Sequence, residues 1–199
     1  MSIATTSLAP GFLIASPPLG DPNFDRTVVL LAVHGESGAL GFVVNRAAPL
    51  TLGELLSFAG YGADKVSAPA PVFVGGPVQP SSGWILGVDL DVETPAEIIR
   101  VGERVRITSS RDAFDTLARD VAELGPGAAD PKRRIVLLGY SGWAPGQLEG
   151  EIAAGAWLPV PMDESILFDV AIDQRWEKAY ALLGLTPAVG MSMRTVGSA

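Results

Sequence analysis

The first part of the chain, residues 11–45, constrains the fold more than any other segment. It reads GFLIASPPLGDPNFDRTVVLLAVHGESGALGFVVN and contains three apolar runs rich in β-branched residues, separated by proline, aspartate and glycine. Apolar runs of this length between turn residues are typical of β-strands. The run at 27–33 is apolar on both faces, which suits a covered strand, and the glycine-bounded connection at 34–38 has hairpin length. We therefore expect strands at 12–15, 27–33 and 40–45.

The middle of the chain adds a short helix and more strands. Thr51 and Glu54 have the spacing of a capping box, which predicts a helix over residues 51–58. Strands are predicted at 72–74, 84–88, 97–101, 104–108 and 135–138. The first two of these flank Gly75-Gly76-Pro77, where glycine and proline together explain a sharp turn better than an anion cradle does.

After residue 110 the apolar period becomes helical. An apolar stripe repeats at i, i+3, i+4 and i+7 from Phe114, and Gly125 suits the end of that helix. A second helix is predicted at 147–156, an extended segment at 157–160, and a last helix from Asp173 as N-cap. Because strands come early and helices late, the sequence favours an α+β fold over alternating α/β units.

Composition excludes several classes of protein. A chain of 199 residues is long enough for one domain with a proper core. Its formal net charge of −8 opposes nonspecific binding to nucleic acid or anionic membranes. It has no cysteine, so disulfides, thiolate metal sites and cysteine nucleophiles are excluded. The longest aliphatic run is far shorter than the ~20 residues of a membrane span, and residues 1–10 lack the pattern of a signal peptide. A cytoplasmic location is expected.

Several blocks, in order, resemble the AlgH/YqgE family of bacterial proteins. They are the block at 11–45, VFVGGPV with the following Gly83-Trp84, residues 108–112 (TSSRD), GYSGWAPGQLEGEI with AWL, and the Arg175-Trp176 helix. The resemblance implies an α+β fold with a curved, mainly antiparallel sheet partly closed into a barrel and helices packed outside. We expect a flexible N-terminus at 1–10, a single domain of this family type at 11–185 and a C-terminal tail at 186–199.

The family resemblance does not identify a catalysed reaction. Its members are largely uncharacterised, no family-wide catalytic residues are established, and one branch is named for a role in transcriptional control. This chain departs from many relatives at Gly87, where they have histidine, and at Ala47, where a proline often follows the Asn-basic pair. These departures weaken any idea that the two positions form an essential chemical pair.

Two residues invite a catalytic interpretation. His34 is the only imidazole, and Asp21, Asp25 and Glu36 are close enough in sequence to orient it. The structural alternative, in which its ring nitrogens cap backbone groups, is favoured. Ser141 follows a predicted strand and precedes a helix, as in a nucleophile elbow, but the second residue after it is tryptophan rather than glycine. A tight turn is therefore favoured at Ser141.

Metal and DNA sites are not indicated. Glu149 and Glu151 are two residues apart, so on a helix they diverge. The basic residues are explained more simply by solvated charge at strand ends than by a recognition helix. They are Arg100, Arg104, Arg106, Lys132, Arg133 and Arg134.

The leading hypothesis is a non-enzymatic protein that binds a partner protein or a small ligand, with no cofactor and no metal. The alternatives are direct transcriptional regulation by DNA contact, and a hydrolase or transferase that uses His34 with Ser141 or a nearby carboxylate. Homo-oligomerisation is left open. No catalytic residue is assigned. The candidate ligand groove contains seven residues, which are His34, Asn45, Ser141, Trp143, Gln147, Glu149 and Trp157.

Overall fold

The computed structural model describes residues 7–17, 21–61, 70–90, 97–124, 130 and 133–184. By its contacts the chain divides into two compact units. Unit 1 contains residues 1–46 and 141–199, and unit 2 contains residues 47–140. The division of the sequence into one domain with two terminal tails stays a prediction.

Unit 1 is built on strands from both ends of the chain. Its strands are β1 (Gly11–Ala15), β2 (Val28–Gly35), β3 (Gly38–Val43), the last three residues of β9 (Ile135–Trp143) and β10 (Trp157–Pro161). They pair antiparallel in the order β10-β1-β2-β3-β9. All five residues of β1 and the first five of β2 are buried, so the prediction of a strand covered on both faces is confirmed.

Three helices belong to unit 1, namely α3 (Gln147–Ala153), α4 (Glu164–Phe168) and α5 (Arg175–Ala181). The buried Arg175 ties α5 to the strands, because its guanidinium donates to the carbonyls of Val44 and Val170. Burial lowers the pKa of Arg175 to about 10, so it remains charged at neutral pH. The Trp176 indole donates to the Ala15 carbonyl at 3.1 Å.

Unit 2 contains the other strands and two helices. Its elements are β4 (Ala47–Thr51), α1 (Leu52–Phe58), β5 (Pro71–Val74), β6 (Val78–Val88), β7 (Ile98–Arg100), β8 (Val105–Thr108), α2 (Arg111–Leu124) and residues 135–140 of β9. The strands pair antiparallel except for β5 with β9, which are parallel. The core lies between these strands and the apolar faces of α1 and α2. The capping box of Thr51 and Glu54 is present as predicted.

Two glycine positions let the backbone of β5 and β9 approach closely. A Cβ built on Gly75 would lie 2.4 Å from the Gly139 carbonyl oxygen, and one built on Gly139 would lie 2.5 Å from the Gly76 carbonyl oxygen. Gly139 also has a φ of +71°. Both distances are shorter than real Cβ contacts, so only glycine fits. The Gly75-Gly76 pair is explained by this packing.

The predicted α+β class with a curved, mainly antiparallel sheet is confirmed. Several boundaries were wrong. His34 lies within β2 and not in the hairpin connection, and Ser141 lies within β9 and not in a tight turn. Asp173 is inside a 3-10 turn, and α5 begins at Arg175. The strand β4 and the helix α4 had no counterpart among the predictions. Gly125 lies outside the described residues.

Candidate functional site

Both ring nitrogens of His34 have a hydrogen-bond partner within the protein. Its Nδ1 accepts from the Leu8 backbone N–H at 3.1 Å, so the ring proton is on Nε2, which lies 3.0 Å from Glu149 Oε1. The imidazole side chain is only 1% exposed, whereas that of Glu149 is 41% exposed. Both nitrogens are thus used within the protein. The carboxylate beside the imidazole is Glu149, 115 residues away in sequence, and not one of the three acidic residues near His34.

The Glu151 carboxylate connects both tryptophans of the predicted groove. Its Oε2 accepts from the indole N–H of Trp143 at 2.8 Å and from that of Trp157 at 2.7 Å. Its Oε1 accepts from the side-chain amide of Gln147 at 2.8 Å. The two indoles meet edge to face with centroids 5.9 Å apart. Glu149 and Glu151 therefore point to different partners, and these indole N–H groups already have an acceptor.

Asn45 holds a loop with both ends of its amide. Its Oδ1 accepts from the Val28 backbone N–H and its Nδ2 donates to the Arg26 carbonyl, each at 2.8 Å. The next residue, Arg46, donates to the carbonyls of Pro22, Asn23 and Asp25. Both polar atoms of the Asn45 amide hydrogen-bond to backbone groups. These contacts are those of a structural residue.

The Ser141 hydroxyl is buried without a hydrogen-bond partner in the part of the chain that the structure describes. The residue is 1% exposed and pairs with Gly41 across the β3–β9 ladder. A serine nucleophile needs a base within hydrogen-bond reach, and the nitrogens of His34 are bonded to Leu8 and Glu149. These contacts do not assemble a nucleophile and its base.

Replacing Ser141 with alanine is expected to leave the protein as stable as before or to stabilise it by about 1 kcal/mol. A buried hydroxyl without a partner has a desolvation cost and no compensating bond. The matched control is Ser16→Ala, since the Ser16 hydroxyl is also buried but donates to the Gly155 carbonyl at 2.7 Å. The Ser16→Ala variant is expected to lower the free energy of unfolding by about 1 kcal/mol. Urea unfolding measures the stability of both variants. If Ser141→Ala destabilised the protein as much as Ser16→Ala, the prediction would be contradicted.

Three of the arginines that could face DNA are bonded within unit 2, whereas Arg100 is exposed. The Arg134 side chain is 3% exposed and pairs with Asp120 and Asp130. Arg104 pairs with Asp89, and the Arg106 guanidinium donates to the Val105 carbonyl at 3.0 Å. Lys132 lies outside the described residues. These three arginines are therefore neutralised or used locally.

A ligand-sized cavity of about 450 Å³ lies in unit 2 between α1, β6 and α2. We call it the unit 2 pocket. Its lining residues are Leu55, Leu56, Ala59, Tyr61, Ser81, Ser82, Gly83, Ser109, Arg111, Phe114 and Leu138. Small-molecule sites have this range of volume, with apolar walls and a few polar groups.

Some polar groups of the unit 2 pocket form hydrogen bonds within the protein and others do not. Burial raises the pKa of the Tyr61 phenol, and its hydrogen bond to the Asp115 carboxylate raises it further, so Tyr61 is a neutral donor at pH 7. The Asp115 carboxylate therefore has a hydrogen-bond partner in Tyr61. In contrast, the Arg111 guanidinium makes no hydrogen bond or ion pair with any described residue. The serines of the lining likewise have no hydroxyl partner in the described part of the chain.

Five of the seven residues of the predicted groove lie on α3 or hydrogen-bond to it. His34 bonds to Glu149, and Trp143, Gln147 and Trp157 bond to Glu151, which the sequence did not single out as a site residue. Asn45 bonds to Val28 and Arg26, and the Ser141 hydroxyl has no partner among the described residues. That the seven form a ligand groove stays a prediction. None of these residues lines the unit 2 pocket. The signal for that pocket was residues 108–112, which contributed to the family resemblance but were not read as a site.

Within the described ranges, no three His, Cys, Asp or Glu side chains are grouped closely enough to hold a metal ion. Among the helices described, none is long and apolar enough to cross a membrane.

These observations define an α+β protein whose single histidine is internally bonded and whose unit 2 contains a pocket of ligand size. The family model described as AlgH-like matches residues 12–188. A UPF0301 protein of Anaeromyxobacter sp. (strain Fw109-5) is 46% identical over 196 residues, which cover 94% of this chain and 93% of the relative. A UPF0301 protein of Xanthomonas campestris pv. campestris is 40% identical, with 93% and 94% covered. The chain belongs to the AlgH-like family.

Solved structures agree with this assignment. The solution structure of the AlgH protein from Pseudomonas aeruginosa is 33% identical, with a TM-score of 0.71, and the match covers 100% of this chain and 99% of that one. A crystal structure of a protein from Corynebacterium diphtheriae has a TM-score of 0.63 at 22% identity, with 89% and 88% covered, and shows the shared fold alone.

Proposed function

We propose that this protein is a non-enzymatic binding protein that takes a small ligand in the unit 2 pocket. The observation that carries this proposal is the pocket itself, which combines about 450 Å³ of space with apolar side chains, three serines and one arginine in its lining. A pocket with a few polar groups placed on apolar walls can fix the orientation of a ligand. A regulatory role is what the family name implies, and ligand binding is the step through which it would act.

The contacts in unit 1 favour binding over catalysis. A general base needs a ring nitrogen that can reach a substrate proton, and both nitrogens of His34 have partners in the protein. The hydroxyl of Ser141 is buried and not bonded to a base. Three of the arginines considered for DNA contact, Arg104, Arg106 and Arg134, are paired with carboxylates or bonded to a nearby carbonyl. A catalytic or DNA-binding role thus has less support than the pocket.

The test uses N-phenylnaphthylamine, a neutral apolar dye that fluoresces when bound. We expect saturable binding at one site per chain. Ala59→Trp should abolish this binding by filling the pocket, because Ala59 lines it. The matched control is Ala122→Trp, since Ala122 is an exposed residue of α2 that does not line the pocket. Equal dye binding by the two variants, or none by the wild type, would refute the proposal.

A further inference from the structure

We infer that the ligand of the unit 2 pocket is a small amphipathic anion, an organic acid with an apolar body and one carboxylate or similar head group. This inference rests on the proposed function and names the chemical class of its ligand.

The apolar part of the pocket is formed by both helices. Leu55, Leu56 and Ala59 come from α1 and its C-cap, Phe114 comes from α2, and Leu138 comes from β9. Leu56 is almost completely buried and belongs to the core of unit 2, so the floor is continuous with that core. A ligand that covers this floor removes apolar surface from water, which favours a hydrocarbon or aromatic body.

The polar part of the pocket can recognise an anion. Ser81 and Ser82 come from β6, and Ser109 and Arg111 come from the segment where α2 begins. No hydroxyl of these serines and no nitrogen of Arg111 bonds to a protein group in the described ranges. A guanidinium with adjacent hydroxyl donors is a common arrangement for binding a carboxylate. The first turn of a 14-residue helix adds a favourable field for negative charge.

Neither Asp112, the acidic residue in the first turn of α2, nor Asp115 forms an ion pair with Arg111. Asp115, one turn further along α2, accepts the hydroxyl of Tyr61. The pairing leaves Arg111 as the cation of the rim and Tyr61 as a neutral side chain beside it. A neutral ligand would cover the leucines equally well but would offer the exposed Arg111 no charged acceptor. The arrangement therefore selects for a negative head group.

Two dyes with the same ring skeleton test the inference. Anilinonaphthalenesulfonate is N-phenylnaphthylamine with a sulfonate added, so the pair isolates the contribution of the charge. We expect the sulfonate to bind about tenfold more tightly than the neutral dye, which is the size of one charge-assisted hydrogen bond. Arg111→Gln should remove this advantage and leave the affinity for the neutral dye unchanged. Decanoate should also displace the neutral dye better than decanol does.

The matched control is Arg119→Gln, because Arg119 is an exposed arginine of the same helix that does not line the pocket. It should keep the full preference for the sulfonate, and thermal unfolding should show that both variants are folded. If the neutral dye binds the pocket but the sulfonate gains nothing, or if the two arginine variants behave alike, the inference is overturned and the proposed function stands. If neither dye binds the pocket, both are overturned.

Discussion

Replacing Trp157 with alanine is expected to lower the free energy of unfolding by about 3–5 kcal/mol, the usual cost of removing a buried tryptophan. Trp157 is 2% exposed and is among the largest fully buried side chains of the protein. Its ring contacts Phe24 and Trp143 edge to face, with centroids 5.2 and 5.9 Å away. Alanine leaves a cavity between these rings and removes one of the two indole donors of Glu151.

The matched variant is Trp157→Phe, which keeps an aromatic ring in the site and removes only the donor and part of the volume. We expect it to cost about 1–2 kcal/mol. Urea unfolding followed by far-UV circular dichroism gives both values without depending on tryptophan emission. If the alanine variant were no less stable than the phenylalanine variant, packing around Trp157 would not be the dominant contribution.

The second large effect is expected for Gly139→Ala, which should destabilise the protein by about 2–5 kcal/mol. Part of this cost, about 1–2 kcal/mol, comes from placing a Cβ on a residue with positive φ, which is +71° here. The rest comes from overlap of the new methyl group with two carbonyl oxygens, those of Gly76 at 2.5 Å and Val78 at 2.9 Å. Overpacking of this kind typically costs about 1–3 kcal/mol.

Two other glycines separate these contributions. Gly146 has a φ of +74° but no heavy atom within 4 Å of an added Cβ, so Gly146→Ala isolates the conformational cost. Gly150 lies inside α3, also in open space, and Gly150→Ala should stabilise the protein by about 0.5–1 kcal/mol through helix propensity. The expected order of urea midpoints places Gly150→Ala highest and Gly139→Ala lowest. A Gly139 variant as stable as the Gly146 variant would show that the close approach has no cost.

Much of the fold could be predicted because its signals are local. The strand β1, the buried core of β2 and the capped helix α1 follow from apolar runs and from the spacing of Thr51 and Glu54. The errors lie where tertiary pairing continues a strand through residues with turn chemistry. The last three residues of β9 remain extended because they pair with β3, although Gly139 interrupts the strand with a positive φ. No local pattern in residues 139–143 predicts that the strand continues to Trp143.

The site was harder to predict than the fold. The sequence singled out His34 and Glu149 but could not show that they meet, because 115 residues separate them. Glu151 was seen as a divergent carboxylate, and its contact with two indoles depends on where the strands place Trp143 and Trp157. The unit 2 pocket combines residues from 55 to 138, each unremarkable in its local context. Of its lining residues, Gly83, Ser109 and Arg111 fell within the blocks that carried the family resemblance.

The shared carboxylate of Glu151 has a consequence for how such chains can vary. A change at either tryptophan alters the hydrogen bonding of the other, because both indoles depend on one oxygen. Replacements of Trp143 and Trp157 should therefore be non-additive in the free energy of unfolding, and a double-mutant cycle on the two tryptophans measures this coupling.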